Sequence, residues 1–354
     1  MKTNARHFAV IGAGIAGIAC ARTLVQAGHQ VTLFEKNPAV GGRTATHGTE
    51  FGGFDHGAQY FTVRDPRFER VLRDASATSP ATVRPWSANT VRVLDELGHV
   101  LDTAPPPREP HFVAAPGMGA LTDQWAHPLA AQTLLNTRIT RIERDVLDSS
   151  RWQLRSAGPD DSQHVHGGFD GVLLALPSAP ANDLLAASGQ AAGWRERLQA
   201  VTVAPCWTLM LAFPQAVQPG LTTLGPHWNA ARSTHHRISW LARESSKPGR
   251  SPVERWTVQA NPVWSAEHLE DDAERVKAKL IKGFSQITGI RAEPPYAEVF
   301  RWRQAQTQEP LGQPFLWNGE LGLGLCGDWC LGHRVENAFV SGLELALRVV
   351  AERP

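Results

Sequence analysis

Three glycines at fixed spacing break an apolar run at Val10-Ile11-Gly12-Ala13-Gly14-Ile15-Ala16-Gly17. The pattern is G-x-G-x-x-G, and each position has its own task. Gly12 permits a tight turn, Gly14 lets a pyrophosphate approach the backbone, and Gly17 lets a helix pack closely on its strand. The helix beyond the turn offers free N–H groups and a partial positive charge at its N-terminus. A second apolar strand, Val31-Thr32-Leu33-Phe34, ends at Glu35, where a carboxylate can accept hydrogen bonds from an adenosine ribose. A glycine triplet alone is a weak signal. Strand, turn, helix, strand and acid in this order mark a dinucleotide site.

The residues beyond Glu35 select the dinucleotide. Gly41-Gly42-Arg43 comes after a short gap. A nicotinamide-binding unit does not need this element, whereas many flavin enzymes use its arginine against the pyrophosphate, a task suited to a planar guanidinium fork. Asp55-His56-Gly57-Ala58-Gln59-Tyr60-Phe61-Thr62 comes next. Near the other end Leu325-Cys326-Gly327-Asp328-Trp329 reads as a short apolar strand ending in Gly-Asp, whose acid suits the ribitol of FAD. An amphipathic helix is expected from Glu336 to Val350, its N-terminus facing the flavin pyrimidine ring. These elements point to FAD, bound non-covalently. Gly322 to Gly327 also spells G-x-G-x-x-G, but no helix start comes after it, so it reads as a glycine-rich strand and not as a second nucleotide fold.

The elements that must position these groups need a chain of about two domains, and 354 residues supply it. Net charge is +1, from 35 basic and 34 acidic residues, and no basic stripe stands out, which argues against nucleic acid. No apolar stretch approaches a membrane span and no signal peptide is evident, so a soluble cytoplasmic protein is expected. Cys20, Cys206, Cys326 and Cys330 have neither disulfide density nor zinc-like spacing, and His164-Val165-His166 reads as a solvated loop, so no metal site is expected. Asp102 to Pro110 holds four prolines and reads as a crossing loop. Pro116-Gly117-Met118 opens a helix through Trp125. Strands are expected at Leu134 to Ile142, Arg151 to Arg155 and Phe169 to Leu176, then at Cys206 to Phe213, Arg237 to Leu241 and Arg255 to Gln259. One long helix is expected from Ser265 to Ile287, with Leu269, Ala273, Val276, Leu280, Phe284 and Ile287 on one stripe. The implied fold is α/β plus α+β: a Rossmann-like FAD-binding domain (1–75, 111–178, 318–354) interleaved with an antiparallel-sheet substrate domain (76–110, 179–317).

Aromatic usage is lopsided, with 12 Trp against 2 Tyr. Trp207, Trp240, Trp264 and Trp302 could wall a slot for a flat ligand, although core packing is the plainer role for any one of them. Tyr60, directly after Gln59 in a glycine-rich turn, is expected to face a ligand.

The quoted residues resemble the renalase family, especially its bacterial members, within the flavin amine-oxidase superfamily. The resemblance spans the whole chain. It runs through Gly57 to Thr62, Phe112-Val113-Ala114-Ala115-Pro116-Gly117-Met118, Trp240-Leu241-Ala242-Arg243 and Ser246-Lys247-Pro248-Gly249-Arg250. It ends with Cys326-Gly327-Asp328-Trp329-Cys330-Leu331 and Arg334-Val335-Glu336. It implies an amine-oxidase or p-hydroxybenzoate-hydroxylase-like fold and an oxidase that repairs misreduced nicotinamides. The 2- and 6-dihydro isomers of NAD(P)H would give hydride to flavin N5, and dioxygen would become hydrogen peroxide. Ile15, Glu35, Arg43, Gln59, Tyr60, Ile139, Asp328 and Val335 would touch FAD, together with Gly12, Gly14, Ala16, Gly17, Lys36 and Gly42. Tyr60, Phe61, Thr62, Arg64, Trp207 and Arg334 would line the substrate pocket, Arg64 or Arg334 pairing with a substrate phosphate. Cys206 stands where bacterial relatives carry a small hydroxyl residue.

No nucleophile, metal or acid–base pair is evident, and a dihydropyridine needs none, because loss of hydride makes it an aromatic cation directly. Three other readings stay open. A true amine oxidase would place a lysine near N5, and Lys277, Lys279 and Lys282 all belong to the expected long helix. A flavoprotein could hold FAD as a redox sensor, and a hydroxylase could draw on diffusible NADPH.

Overall fold

The computed structural model describes residues 5–77, 81–87, 91–103, 109–158, 160, 162–217 and 225–352. The chain forms two compact units. The first comprises Met1–Gly42, Thr122–Val203 and Thr307–Pro354, the second Arg43–Leu121 and Ala204–Gln306.

The first unit is built on a six-stranded sheet in the order Leu316–Asn318, Leu323–Leu325, Gly171–Leu174, His7–Ile11, Gln30–Phe34, Thr133–Leu134. Neighbours pair parallel except at the Leu316–Asn318 edge. Such strands are covered on both faces and read as continuous apolar runs, which is why Phe8-Ala9-Val10-Ile11 and Val172-Leu173-Leu174 are buried throughout. The first helix, Ile15–Gln26, lies against the last, Val335–Ala351. Their closeness requires Gly342, where an added Cβ would fall 2.0 Å from the Ala16 carbonyl oxygen. A three-stranded antiparallel sheet, Arg138–Arg144, Trp152–Ala157 and Gln163–Phe169, completes this unit.

The second unit is built on a seven-stranded sheet in the order Tyr296–Glu309, Thr202–Phe213, Glu254–Ala260, Ile238–Arg243, Ala230–Ser233, Arg92–Leu94, Val100–Thr103. One face packs on the helix Ala273–Thr288, with Leu209, Leu211, Phe213, Leu241, Trp256 and Val258 meeting Val276, Leu280, Phe284 and Ile287. The sheet with a covering helix is the architecture the strand pattern implies, antiparallel as expected at most of its pairings but parallel where Ala230–Ser233 meets Arg92–Leu94.

Several boundaries differ from the sequence reading, each for a local reason. Leu134 to Ile142 is not one strand, because Asn136 adopts a left-handed conformation (φ 52°) that asparagine tolerates, and the chain turns from one sheet into another there. Phe169 to Leu176 divides at Asp170, whose carboxylate accepts from the His7 N–H at 2.7 Å. His164-Val165-His166 is no loop but part of the Gln163–Phe169 strand, His166 meeting Ser156 Oγ at 2.9 Å. Asp102 and Thr103 extend the Val100–Thr103 strand, and 104–108 lie outside the described residues. The expected long helix is two, Pro262–Glu267 and Ala273–Thr288. Asp272 caps the second by accepting from the N–H groups of Glu274 (3.0 Å) and Arg275 (3.1 Å), which satisfies two donors that a continuous helix would not leave open. Ala273 is accordingly exposed, outside the buried stripe.

The units also divide the chain differently from the expected domains. Residues 43–75 and 111–121 cluster with the second unit, and 179–203 and 307–317 with the first. The first shift has a clear cause: Asp55 is hydrogen-bonded to side chains near residue 250.

Removing the Asp272 cap by Asp272→Ala should cost about 1 kcal/mol of local helix stability. Amide exchange over Val276 to Leu280 is then expected to speed up about five-fold. Unchanged exchange there would show that the two helices are separated by something other than the cap.

Candidate functional site

In the first unit the glycine turn has the expected geometry. Gly12 has φ 105°, and a Cβ there would fall 2.5 Å from the Ala175 carbonyl oxygen. At Gly17 a Cβ would fall 1.8 Å from the Gly12 carbonyl oxygen, so helix and strand meet backbone to backbone. Gly14 caps the helix with an extended conformation open to any residue, and a Cβ added there meets no protein atom within 4 Å. The Gly-Gly-Arg turn folds back on it: the Gly41 N–H donates to the Ala13 carbonyl at 2.8 Å, and a Cβ added at Gly42, which has φ 55°, would lie 3.6 Å from the Gly14 Cα. Ile15 and Ala16 are buried in the first helical turn, whose N–H groups have no partner within the helix.

Glu35 is buried at the end of its strand. Its Oε2 accepts from the Ala13 N–H at 2.9 Å, and its Oε1 accepts from the Asn37 N–H and Nδ2 at 3.0 and 2.7 Å. Lys36 beside it is exposed. Asp328 is buried in the short turn Asp328–Cys330, and its carbonyl accepts from the Leu331 and Gly332 N–H groups. The second glycine triplet thus runs into a three-residue 3-10 turn, and no nucleotide-binding helix starts there. Val335 begins the terminal helix, with Arg334 as its N-cap. Ile139 is a core residue of the antiparallel sheet. A backbone approach at Gly14, an acid at the second strand and a buried acid before the terminal helix together suit FAD: helix N–H groups toward pyrophosphate, Glu35 toward ribose and Asp328 toward ribitol.

The second unit carries the other expected residues. The segment Asp55 to Tyr60 is held by a buried ion network. Lys247 Nζ donates to Asp55 Oδ2 (3.0 Å), Glu244 Oε1 (2.9 Å) and Gln59 Oε1 (3.4 Å), and Arg250 Nη2 donates to Asp55 Oδ2 at 2.6 Å. The side chains of Lys247, Asp55 and Glu244 have no exposed surface. Thr46 Oγ1 and the Met118 N–H satisfy Asp55 Oδ1, and Thr257 Oγ1 donates to Glu244. Burial pushes the Asp55 carboxyl up, but Lys247 and Arg250 outweigh it and bring the pKa down to about 2. Gln59 is buried, its amide donating to the Asp55 and Gly57 carbonyls. Gly57 presses on Arg43, where a Cβ would fall 2.1 Å from the Arg43 oxygen. Arg43 Nη1 reaches the Ala305 carbonyl at 3.4 Å.

Tyr60 stands in an aromatic group with His111 (centroids 4.1 Å), Trp240 (5.7 Å) and Trp86 (6.3 Å). Trp86 is fixed by its N–H to Ser246 Oγ and lies 5.5 Å from the Lys247 ammonium. Sequence reasoning missed Trp86, His111 and Lys247. The signal for Lys247 lay in the Ser246 to Arg250 run, whose two cations answer Asp55.

Two of the expected pocket residues are core residues. Phe61 is buried, pairs with Phe112 through both backbone groups at 2.9 Å and stacks on its ring. Trp207 alternates with Leu209, Leu211 and Phe213, which puts it on the helix-covered face, with its indole N–H donating to the His268 carbonyl at 3.0 Å. Cys206, one residue earlier, belongs to the opposite face with Thr208. Burial pushes its thiol pKa up to about 11. Trp264 is also in the core, its ring tilted against that of His268 at 4.3 Å, and Trp302 donates to the His56 carbonyl at 2.9 Å. Thr62 is half-buried, and Arg64 is exposed and ion-paired with Glu109. Among the described residues no group of three or more His, Cys, Asp or Glu could hold a metal ion, and no helix is long and apolar enough to cross a membrane.

Lys247→Met leaves two buried carboxylates facing one another and should destabilise the protein by about 3–5 kcal/mol. Because the folded pKa of Asp55 lies below its ordinary 3.8, its stabilisation is present above that value and is lost as pH falls toward about 2. The variant is therefore expected to unfold at higher pH than the wild type in an acid titration monitored by tryptophan fluorescence. An unshifted acid midpoint would contradict the network.

The Flavin containing amine oxidoreductase family matches residues 106–350, and an NAD(P)-binding Rossmann-like domain matches residues 10–75. L-amino-acid oxidase of Notechis scutatus scutatus is 39% identical over 72 residues, which span 20% of this chain and only 14% of that oxidase. In fold the chain is similar to a protein of Exiguobacterium sp. 255-15 that carries a provisional protoporphyrinogen oxidase name (TM-score 0.75, 14% identity, 99% of this chain and 100% of that one). It is also similar to putrescine oxidase with putrescine bound (TM-score 0.68, 12% identity, 99% of this chain and 100% of that one). The chain thus belongs to the flavin-containing amine oxidoreductase family, with FAD as its cofactor.

Proposed function

We propose that the protein is a renalase-like oxidase that returns 2- and 6-dihydro-NAD(P)H to NAD(P)+, with dioxygen and one proton becoming hydrogen peroxide. FAD, when bound, supplies the hydride acceptor at N5 and passes the electrons on to dioxygen. The observation that carries this reading is the aromatic group of Tyr60, Trp86, His111 and Trp240 beside an ion network whose charges are paired with one another. Flat rings stack on a flat substrate. The ammonium of Lys247 is committed to Asp55 and Glu244, and the Cys206 thiol, near 11, stays neutral at pH 7. That environment suits a donor that becomes aromatic on losing hydride and asks the protein for orientation rather than proton transfer. In this reading Tyr60 bears on the substrate ring, Gln59 and Arg43 serve the cofactor, and Arg334 and Arg64 attend to phosphate.

Family membership favours a second reading, oxidation of an amine. One anaerobic experiment separates the two. The FAD-loaded protein is mixed in turn with 2-, 4- and 6-dihydro-NADH and with alkylamines, and the visible flavin band is monitored. Rapid bleaching by the 2- and 6-isomers is expected. Bleaching by amines alone would overturn the proposal, and bleaching by neither would leave a sensor.

The cofactor assignment has a sharp test at Gly14. A Cβ added there meets no protein atom within 4 Å, so Gly14→Val is expected to fold with wild-type circular dichroism and purify colourless. A yellow, FAD-replete variant would refute the pyrophosphate approach.

A further inference from the structure

We propose that Trp240 sets the specificity of the substrate face: its indole N–H donates to a carbonyl oxygen carried on a flat substrate ring stacked against Tyr60. The proposal rests on the dihydronicotinamide reading and deepens it, since the acceptor would be the carboxamide oxygen.

Strand phase comes first. Ile238 and Leu241 both pack into the helix-covered core, which strict alternation forbids for residues three apart. The pairing with Glu254–Ala260 shifts between Ile238 and Trp240 and resolves the conflict. Trp240 is thereby turned to the face opposite Leu241, where its ring meets Tyr60 at 5.7 Å.

Hydrogen bonding then singles out this indole. The N–H groups of Trp86, Trp207 and Trp302 are satisfied by Ser246, His268 and His56. Trp240 is only 8% exposed, and its buried Nε1 has no acceptor. A buried indole N–H normally finds one, and leaving it unmade is costly. Trp256 Nε1 shares this property, but Trp256 is wholly enclosed in the helix-covered core. Trp240 instead stands beside the ring for which a ligand-facing role is proposed.

The chemistry of the donor sets the preference. An indole N–H only donates. It rewards a ring bearing a carbonyl and offers nothing to a protonated amine, which also only donates. Trp240 therefore favours nicotinamide-type rings over alkylamines.

The test uses FAD-loaded protein and two flat cations, 1-methylnicotinamide, which carries the carbonyl, and 1-methylpyridinium, which lacks it. Dissociation constants are read from perturbation of the flavin spectrum. The wild type is expected to prefer 1-methylnicotinamide by about 3- to 10-fold, the yield of one neutral hydrogen bond. Trp240→Phe should lose the preference while binding 1-methylpyridinium as before. A variant that retains the preference, a wild type without one, or a wild type that binds neither ring overturns the proposal. Should the variant fail to fold, 15N-tryptophan spectra of the wild type decide: one indole N–H resonance is expected to move with 1-methylnicotinamide only, and none moving would overturn it. Failure of the substrate reading looks different. A wild type unbleached by dihydro isomers but showing a Trp240-dependent preference keeps the donor assignment and loses the reaction.

Discussion

The second unit depends on a salt-bridge network that water never touches. Lys247 and Arg250 meet Asp55 and Glu244 with almost no exposed surface on any of the four side chains. Desolvating such charges costs several kcal/mol per ion, and their attraction recovers that only when the remaining lone pairs and protons are also satisfied. Here Thr46, Met118, Thr257 and Gln59 supply extra bonds, while Glu244 Oε2 and the Nε and Nη1 of Arg250 are buried without a hydrogen-bond partner among the described residues. What the network secures is position: Asp55 begins the run that ends at Tyr60, and the two cations come from a turn more than 180 residues later.

Position is the property that hydride chemistry asks for. A group held by several bonds at both ends of a short run has little freedom left to lose when a ligand arrives. Gln59 is held by Asp55, Gly57 and Lys247, and Trp86 by Ser246 from the same turn as Lys247. A lysine in a flavin amine oxidoreductase invites a catalytic role, yet two carboxylates and an amide take the Lys247 ammonium.

Legibility in the sequence tracks the range of each interaction. The glycine turn was legible because backbone crowding acts over a few residues and admits few side chains. Asp272 and Asn136, which break expected elements, act as locally but through polar side chains common everywhere, so they pass unnoticed in a hydrophobic pattern. The ion network joins distant positions and leaves no periodicity. Face assignment failed at Trp207 for a different reason. Two adjacent strand positions face opposite ways, so naming the right strand still leaves the choice between Cys206 and Trp207 open, and only the apolar company of Leu209, Leu211 and Phe213 decides it.

The glycines of the first unit show why residue identity alone could not have separated packing from binding. Gly12, Gly17 and Gly342 are required by the protein itself, since a Cβ at each would lie within 2.5 Å of a backbone oxygen. Gly14 is required by nothing in the chain: its backbone is extended, and a Cβ there meets no protein atom within 4 Å. Three positions are glycine because the fold is crowded. The fourth stands at the N-terminus of a helix with no such cause, and the cause that remains is a partner approaching the backbone from outside. For an anion the helix N–H groups make such an approach favourable, which is why Gly14, rather than Gly12, Gly17 or Gly342, is the position proposed to face the cofactor.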